Sequence, residues 1–167
     1  RFAGVGEGDP TLVATVTKWA ARHTGAAFFR NGYCEDFAHR LYAAADILLM
    51  PSRFEPCGLG QMIAMRYGCV PVVTRTGGLA DTVREGGGKP NGFMAAPDDG
   101  RDFGRALDRA LAVYGKPAWK GLVREGMMSD FSWDRSVATY RYPPRIPAYK
   151  WRVPEELVPT SVAQRSR

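Results

Sequence analysis

The sequence has no run of apolar residues near the roughly 18 to 20 that cross a bilayer, so no membrane partner is read from it. It opens with no basic-then-apolar leader, and nothing in it argues for secretion. Cysteine is sparse. Cys34, Cys57 and Cys69 are odd in number and form no C-x-x-C pair, which sets aside a disulfide framework and a zinc site and leaves reduced thiols as the expectation. No internal repeat is visible. Net charge is missing from the first hundred residues, where ten Lys/Arg balance ten Asp/Glu. The whole excess of +6 lies in residues 101–167, on late helices and a tail. A nucleic-acid-binding domain would place its basic face among aromatics on the folded core, so no nucleic-acid partner is expected.

What is present suits one domain. A length of 167 residues allows a real hydrophobic core, and 45% apolar with 24% charged residues is ordinary for a globular chain. The first residue is Arg1, and Phe2-Ala3-Gly4-Val5-Gly6 reads as the tail of a strand entering a turn, as in the interior of a longer protein.

Strand and helix patterns then alternate. Asp9-Pro10 sets a capping carboxylate before a proline at the first helical position. Leu12, Val13, Val16, Trp19 and Ala20 follow at helical spacing. A strand is predicted around Ala26–Phe29, ended by Asn31-Gly32. A helix with Phe37, Ala38, Leu41, Ala44 and Ala45 on one face comes next. Ile47-Leu48-Leu49-Met50 is continuously apolar, as suits a parallel strand covered on both faces. A helix from near Gly58 to Tyr67 and a strand over Val70–Thr74 follow. Pro71 argues against a central position for that strand. A short helix is predicted near Leu79–Arg84, then a glycine-rich loop over Glu85–Asn91. Phe103, Ala106, Leu107, Ala110, Leu111 and Tyr114 make the clearest amphipathic helix. Trp119, Leu122, Val123 and Met127 predict another, and Ser132-Trp133 begins a last one. This alternation predicts an α/β fold built from βαβ units, a doubly wound Rossmann-like parallel sheet. The domain is read as residues 1–141, incomplete at its N-terminus. Prolines at 143, 144, 147, 154 and 159 mark residues 142–167 as an irregular basic tail.

In open parallel sheets ligands bind beyond the carboxyl ends of the strands. Three segments fall there. In Ser52-Arg53-Phe54-Glu55-Pro56-Cys57-Gly58-Leu59-Gly60-Gln61, glycines allow close approach to the backbone, and free amides at a helix start suit phosphate oxygens. Glu55 could accept hydrogen bonds from sugar hydroxyls, or only complement the helix dipole. Arg75-Thr76-Gly77-Gly78-Leu79-Ala80-Asp81 repeats the logic as a second anion cradle. Tyr33, after Asn31-Gly32, could stack on a base or simply pack.

The run Ser52 to Leu59, followed by Ala64-Met65-Arg66-Tyr67-Gly68, Pro71-Val72-Val73 and Thr76-Gly77-Gly78-Leu79-Ala80-Asp81-Thr82-Val83, resembles the signature of bacterial glycogen and starch synthases. Gly6-Glu7-Gly8-Asp9-Pro10, Gly32-Tyr33 with His39-Arg40, and Phe131-Ser132-Trp133 match in the same order, and the resemblance covers about residues 1–140.

The resemblance implies the C-terminal, nucleotide-sugar-binding half of a two-domain B-type glycosyltransferase. Its partner would be the N-terminal domain of the same protein, facing it across a cleft. Glucose would pass from ADP-glucose to the non-reducing end of an α-1,4-glucan with retention, using no metal or other cofactor. Carried over by position, Glu55 would contact the donor glucose. Amides around Cys57, Gly58, Leu59 and Gly60 would hold sugar and phosphates. Tyr33 would lie against the adenine, and Thr76 and Gly77 beside the phosphates. Ile63 stands where the wider superfamily has a second glutamate, which removes a ribose contact. The family's basic pair that clamps the diphosphate precedes residue 1, so these residues alone are expected to be inactive. A related retaining transferase with another acceptor, and a non-catalytic binding module, remain the alternatives. A cytoplasmic, bacterial location follows from the resemblance alone.

Overall fold

The computed structural model describes residues 1–135 and 137. The predicted tail over 142–167 lies outside these. The described residues group into two units, one over Arg1–Ser129 and one starting at Asp130. In the second, the Ser132 N–H donates to the Asp130 carboxylate at 2.9 Å, and the Arg135 guanidinium donates to the Asp130 carbonyl at 3.1 Å.

The first unit alternates strand and helix as its sequence predicts, with one strand, Phe93–Ala95, that the sequence pattern does not predict. Its strands are β1 (Phe2–Gly6), β2 (Ala27–Asn31), β3 (Ile47–Met50), β4 (Val70–Thr74) and β5 (Phe93–Ala95). Its helices are α1 (Pro10–Arg22), α2 (Glu35–Ala44), α3 (Gly60–Arg66), α4 (Gly77–Thr82), α5 (Gly100–Val113) and α6 (Pro117–Met128). Asp9 caps α1 through hydrogen bonds from the Thr11 and Leu12 N–H groups at 2.8 and 3.1 Å, with Pro10 at the first position. Asp99 caps α5 in the same way.

All strand pairs are parallel. They form two ladders, β1–β2 and β3–β4–β5, where the sequence predicts one sheet. In a doubly wound sheet the first strand in chain order separates two such wings. Among the described residues no strand joins them.

β4 is the centre of the triplet and all five of its residues are buried. This corrects the expectation drawn from Pro71. The Val70 N–H turns toward β3, donating to Asp46 O at 2.9 Å, and the Arg75 N–H turns toward β5, donating to Ala95 O at 2.9 Å. Pro71 therefore faces the β5 side. The β5 ladder begins only at Phe93, opposite Val72, so no ladder bond needs the missing N–H. The chain before β5 instead crosses close to Pro71. A Cβ on Gly92 would lie 2.6 Å from the Pro71 carbonyl oxygen, so only glycine fits there.

The core is built on both faces of this triplet. Val70, Val72, Phe93 and Ala95 meet Ala106 and Ala110 of α5 and Trp119 and Leu122 of α6. Val73 meets Leu79 and Val83 on the other face. The open edge of β5 is closed by an ion pair. The Met94 N–H donates to Glu85 Oε2 at 2.8 Å, and Arg109 Nη2 donates to the Met94 carbonyl at 2.9 Å. Arg109 also holds both Glu85 oxygens, at 2.6 and 3.0 Å. A strand edge is thus satisfied by side chains rather than left open to pairing.

The first half of the chain forms its elements without covering them. Only Ala20 is buried in α1, and α2 has no buried residue. Leu12 is 66% and Trp19 43% exposed, although their helical spacing predicts a core face. A two-stranded ladder offers too little apolar surface to bury two helices. Leu111, Tyr114 and Met127, read as core-facing, are likewise exposed, because Ala106, Ala110, Trp119 and Leu122 take the contact with the sheet.

Two stability effects follow. Trp119 is 8% exposed and stacks edge-on against Tyr114 at 5.1 Å. Trp119→Ala is expected to lower unfolding stability by about 3 to 5 kcal/mol, measured by denaturant titration. Burial raises the pKa of Glu85, but the bonds from Arg109 and Met94 outweigh it and hold the carboxylate below its ordinary value of 4.5. A lowered carboxylate value stabilises the fold above the unfolded value and less so as pH falls through the folded one. The Tm deficit of Glu85→Gln is therefore expected at pH 7 and should shrink below about pH 4.5.

Candidate functional site

Four loops leave the carboxyl ends of β1, β2, β3 and β4, and they carry every residue singled out from the sequence. After β3, Pro51–Leu59 turns into α3. Ser52 Oγ donates to Glu55 Oε2 at 3.4 Å, which leaves that half-buried carboxylate with open acceptor capacity. Gly58 is buried and takes φ +67°, a left-handed conformation that favours glycine. The N–H groups of Cys57, Gly58, Leu59 and Gly60 bond to no acceptor among the described residues. Cys57 and Leu59 are exposed.

After β4, Thr76, Gly77 and Gly78 enter α4. This turn differs from the second cradle read from the sequence. The Gly78 N–H is committed to the Glu55 carbonyl at 3.0 Å, and the Thr76 N–H to Thr74 O at 2.9 Å. Only the Gly77 amide stays free in this turn among the described residues. The two turns touch so closely that a Cβ on Gly77 would collide with the Glu55 carbonyl oxygen, and one on Gly78 with that of Cys57. The glycine pair is therefore there for contact between loops. Both helices are short, seven and six residues, so the individual amides matter more than any macrodipole.

Tyr33 follows β2 and is 73% exposed. Its N–H donates to Glu7 Oε1 at 3.0 Å, which ties the β2 loop to the β1 loop. Glu7, Gly8, Pro10, Val13, Ala14, Asn31 and Gly32 line an open cavity of about 410 Å³ beside it. That cavity includes neither Glu55 nor either glycine turn. Tyr42 of α2 connects the two regions. Burial first, then the neighbouring Tyr33 and Cys69, raises the pKa of its hydroxyl. That hydroxyl sits 3.2 Å from where a Gly60 Cβ would be. His39 Nδ1 lies 3.0 Å from the Tyr67 hydroxyl, a further tie between α2 and the residue that follows α3.

Sequence reasoning names Glu7 and Gln61 only inside longer runs, gives neither a role, and does not name Tyr42. Glu7 obeys the same strand-end rule as the other loops and is findable by it. Tyr42 and Gln61 lie inside helices, where periodicity does not reveal what a polar group meets. Cys69 is buried, and burial first, then Asp46, pushes its thiol up to about 12, so it is unreactive. Among the described residues no cluster of His, Cys, Asp and Glu is arranged to hold a metal, and no helix is long and apolar enough to cross a membrane.

The chemistry on offer is one carboxylate, a row of unbonded amides and a solvent-facing tyrosine on the strand-end side of a parallel sheet. The family described as Glycosyl transferases group 1 matches residues 1–112. A glycogen synthase from Thioalkalivibrio sulfidiphilus is 49% identical over 145 residues, covering 81% of this chain and 30% of the relative. A glycogen synthase from Syntrophotalea carbinolica is 46% identical over 140 residues, covering 81% and 29%. The chain thus spans about 30% of the length of the curated relatives it matches. Among solved structures, the catalytic domain of starch synthase IV from Arabidopsis thaliana, bound to ADP and acarbose, superposes with a TM-score of 0.67 at 30% identity, over 84% of this chain and 37% of that one. The chain belongs to the glycosyl transferases group 1 family, has the α/β, Rossmann-like B-type fold of such enzymes, and is similar within that family to glycogen and starch synthases.

Proposed function

We propose that this chain is the donor-binding part of a glycogen or starch synthase that transfers glucose from ADP-glucose to the non-reducing end of an α-1,4-glucan with retention. The observation that carries the reading is the Gly78 amide bond to the Glu55 carbonyl, which holds the loop of Glu55 and the unbonded amides of Cys57 to Gly60 against the turn that carries the unbonded Gly77 amide. In this reading Glu55 contacts the donor hexose and supports the charge that develops as the diphosphate leaves. The amides from Cys57 to Gly60 hold sugar and phosphate oxygens, with Thr76 and Gly77 beside them. Tyr33 lies against the adenine. The similarity to a starch synthase solved with ADP supports a nucleoside diphosphate leaving group.

The acceptor glucan and the N-terminal domain belong to the longer protein, which is read as cytoplasmic and bacterial. The domain boundary near residue 141 is part of the same proposal. The unbonded amides of Cys57 to Gly60 equally suit a second reading, a nucleotide-sugar-binding module without activity of its own. Calorimetry of the 167-residue chain with ADP-glucose, UDP-glucose and maltooligosaccharides tests both. Binding of ADP-glucose is expected, and binding of none of the three would overturn the donor site.

Glucose incorporation by these residues alone is expected to be undetectable. Fixed donors aimed at the departing charge supply much of such a rate, and each one lost costs about a hundredfold to a thousandfold. Measurable incorporation from ADP-glucose by the chain would refute this. In the longer protein, Glu55→Ala should lower turnover by about a hundredfold or more while Tm stays near that of the wild type, since the side chain lies on a loop outside the core. Unchanged turnover would remove Glu55 from the mechanism.

A further inference from the structure

Gln61 is a polar side chain with no exposed surface, in the first turn of α3 and directly beneath the Gly58 turn. Its Nε2 donates to the Gly58 carbonyl at 2.6 Å and to Thr82 Oγ1 at 3.0 Å. Thr82, at the far end of α4, passes its own hydroxyl proton to the Gly78 carbonyl at 2.7 Å. The direction of the relay is forced. Two carbonyls sit at its ends and neither can donate. The Thr82 hydroxyl has one proton, spends it on Gly78, and must accept from Gln61. The amide nitrogen therefore faces both neighbours, and the opposite atom, Oε1, is left buried with no partner. An orphaned buried acceptor costs about 1 to 3 kcal/mol, which the two bonds of the Gln61 Nε2 must offset.

The amide also fills the space where a side chain at Gly58 would go. A Cβ there would lie 2.6 Å from Gln61 Oε1 and 2.8 Å from Nε2. The left-handed Gly58 turn and the Gln61 amide thus pack directly against each other.

We propose that Gln61 is a positioning residue that locks the two glycine turns into a single rigid surface through the relay from the Gly58 carbonyl to Thr82 and Gly78. It touches no substrate. It sets the spacing between the amides of Gly58 to Gly60 and that of Gly77, and so the fit of both to the oxygens of one diphosphate. The last step rests on the donor-binding reading above. The coupling of the turns does not.

The test uses the 167-residue chain with Gln61→Met, Thr82→Val and Thr82→Ser, the last of which keeps the hydroxyl. Amide hydrogen exchange is followed at Ile63 and Gly78, whose N–H groups are bonded to the Leu59 and Glu55 carbonyls and which no variant replaces, and at β4 and α5 as a control for general loosening. Thr82→Val, which removes both hydrogen bonds of the Thr82 hydroxyl, is expected to speed exchange at Ile63 and Gly78 at least about tenfold, with β4 and α5 unchanged. Thr82→Ser should stay within about twofold of wild type, and Gln61→Met should match Thr82→Val without adding to it, as members of one relay do. Calorimetry should show ADP-glucose binding weakened by a similar factor in Thr82→Val and Gln61→Met. Unchanged exchange at Ile63 and Gly78 in Thr82→Val would overturn the coupling. So would equal loosening of β4 and α5, which would make Thr82 a merely structural residue. Loosened turns in a chain whose wild type binds no ADP-glucose would leave the coupling standing and overturn the donor reading.

Discussion

The arrangement of this strand-end surface depends on one backbone contact, the Gly78 N–H bonded to the Glu55 carbonyl at 3.0 Å. Two loops that leave neighbouring strands are pressed together until no side chain fits at Gly77 or Gly78. The contact removes an amide from one apparent anion cradle and uses it to build the other. What remains unbonded among the described residues are the amides of Cys57 to Gly60 and of Gly77. Register does the rest, because β3 and β4 are paired in parallel from Ile47 opposite Val70 to Met50 opposite Val73, so their loops emerge side by side.

That register is stiff because the core lies directly behind it. β4 is buried along its whole length, with α5 and α6 on one face and α4 on the other. The edge beyond it is closed by Glu85 and Arg109 at Met94. The carboxylate and the amides thus rise from the best-packed part of the molecule, as a preorganised electrostatic site requires. The β1–α1–β2–α2 half is different. It carries Tyr33 and Glu7 on a two-stranded ladder with a single buried side chain in its helices. Its described ties to the other half run through His39, Tyr42 and Tyr67.

Local chemistry made much of this legible in the sequence. Capping at Asp9, the apolar run of β3 and the face of α5 led to elements within a few residues of those observed. Strand-end logic led to Glu55, the Gly58–Gly60 turn, Thr76, Gly77 and Tyr33, and the motif runs led to the family. These features are written in neighbouring residues, because a cap or a glycine turn is satisfied within a few positions of itself.

The tertiary structure alone decided the rest. It placed Pro71 in a central strand, since only the chain crossing at Gly92 shows that the lost donor faces no ladder. It left Leu12 and Trp19 exposed, since a helix face is a core face only where a sheet exists to meet it. It turned Gly78 from an anion donor into a clamp and gave Gln61 its partners on α4. The sequence by itself determined the kinds of element and the chemistry at their ends. Which polar groups those ends keep free depended on contacts between segments twenty or more residues apart, which no local pattern encodes.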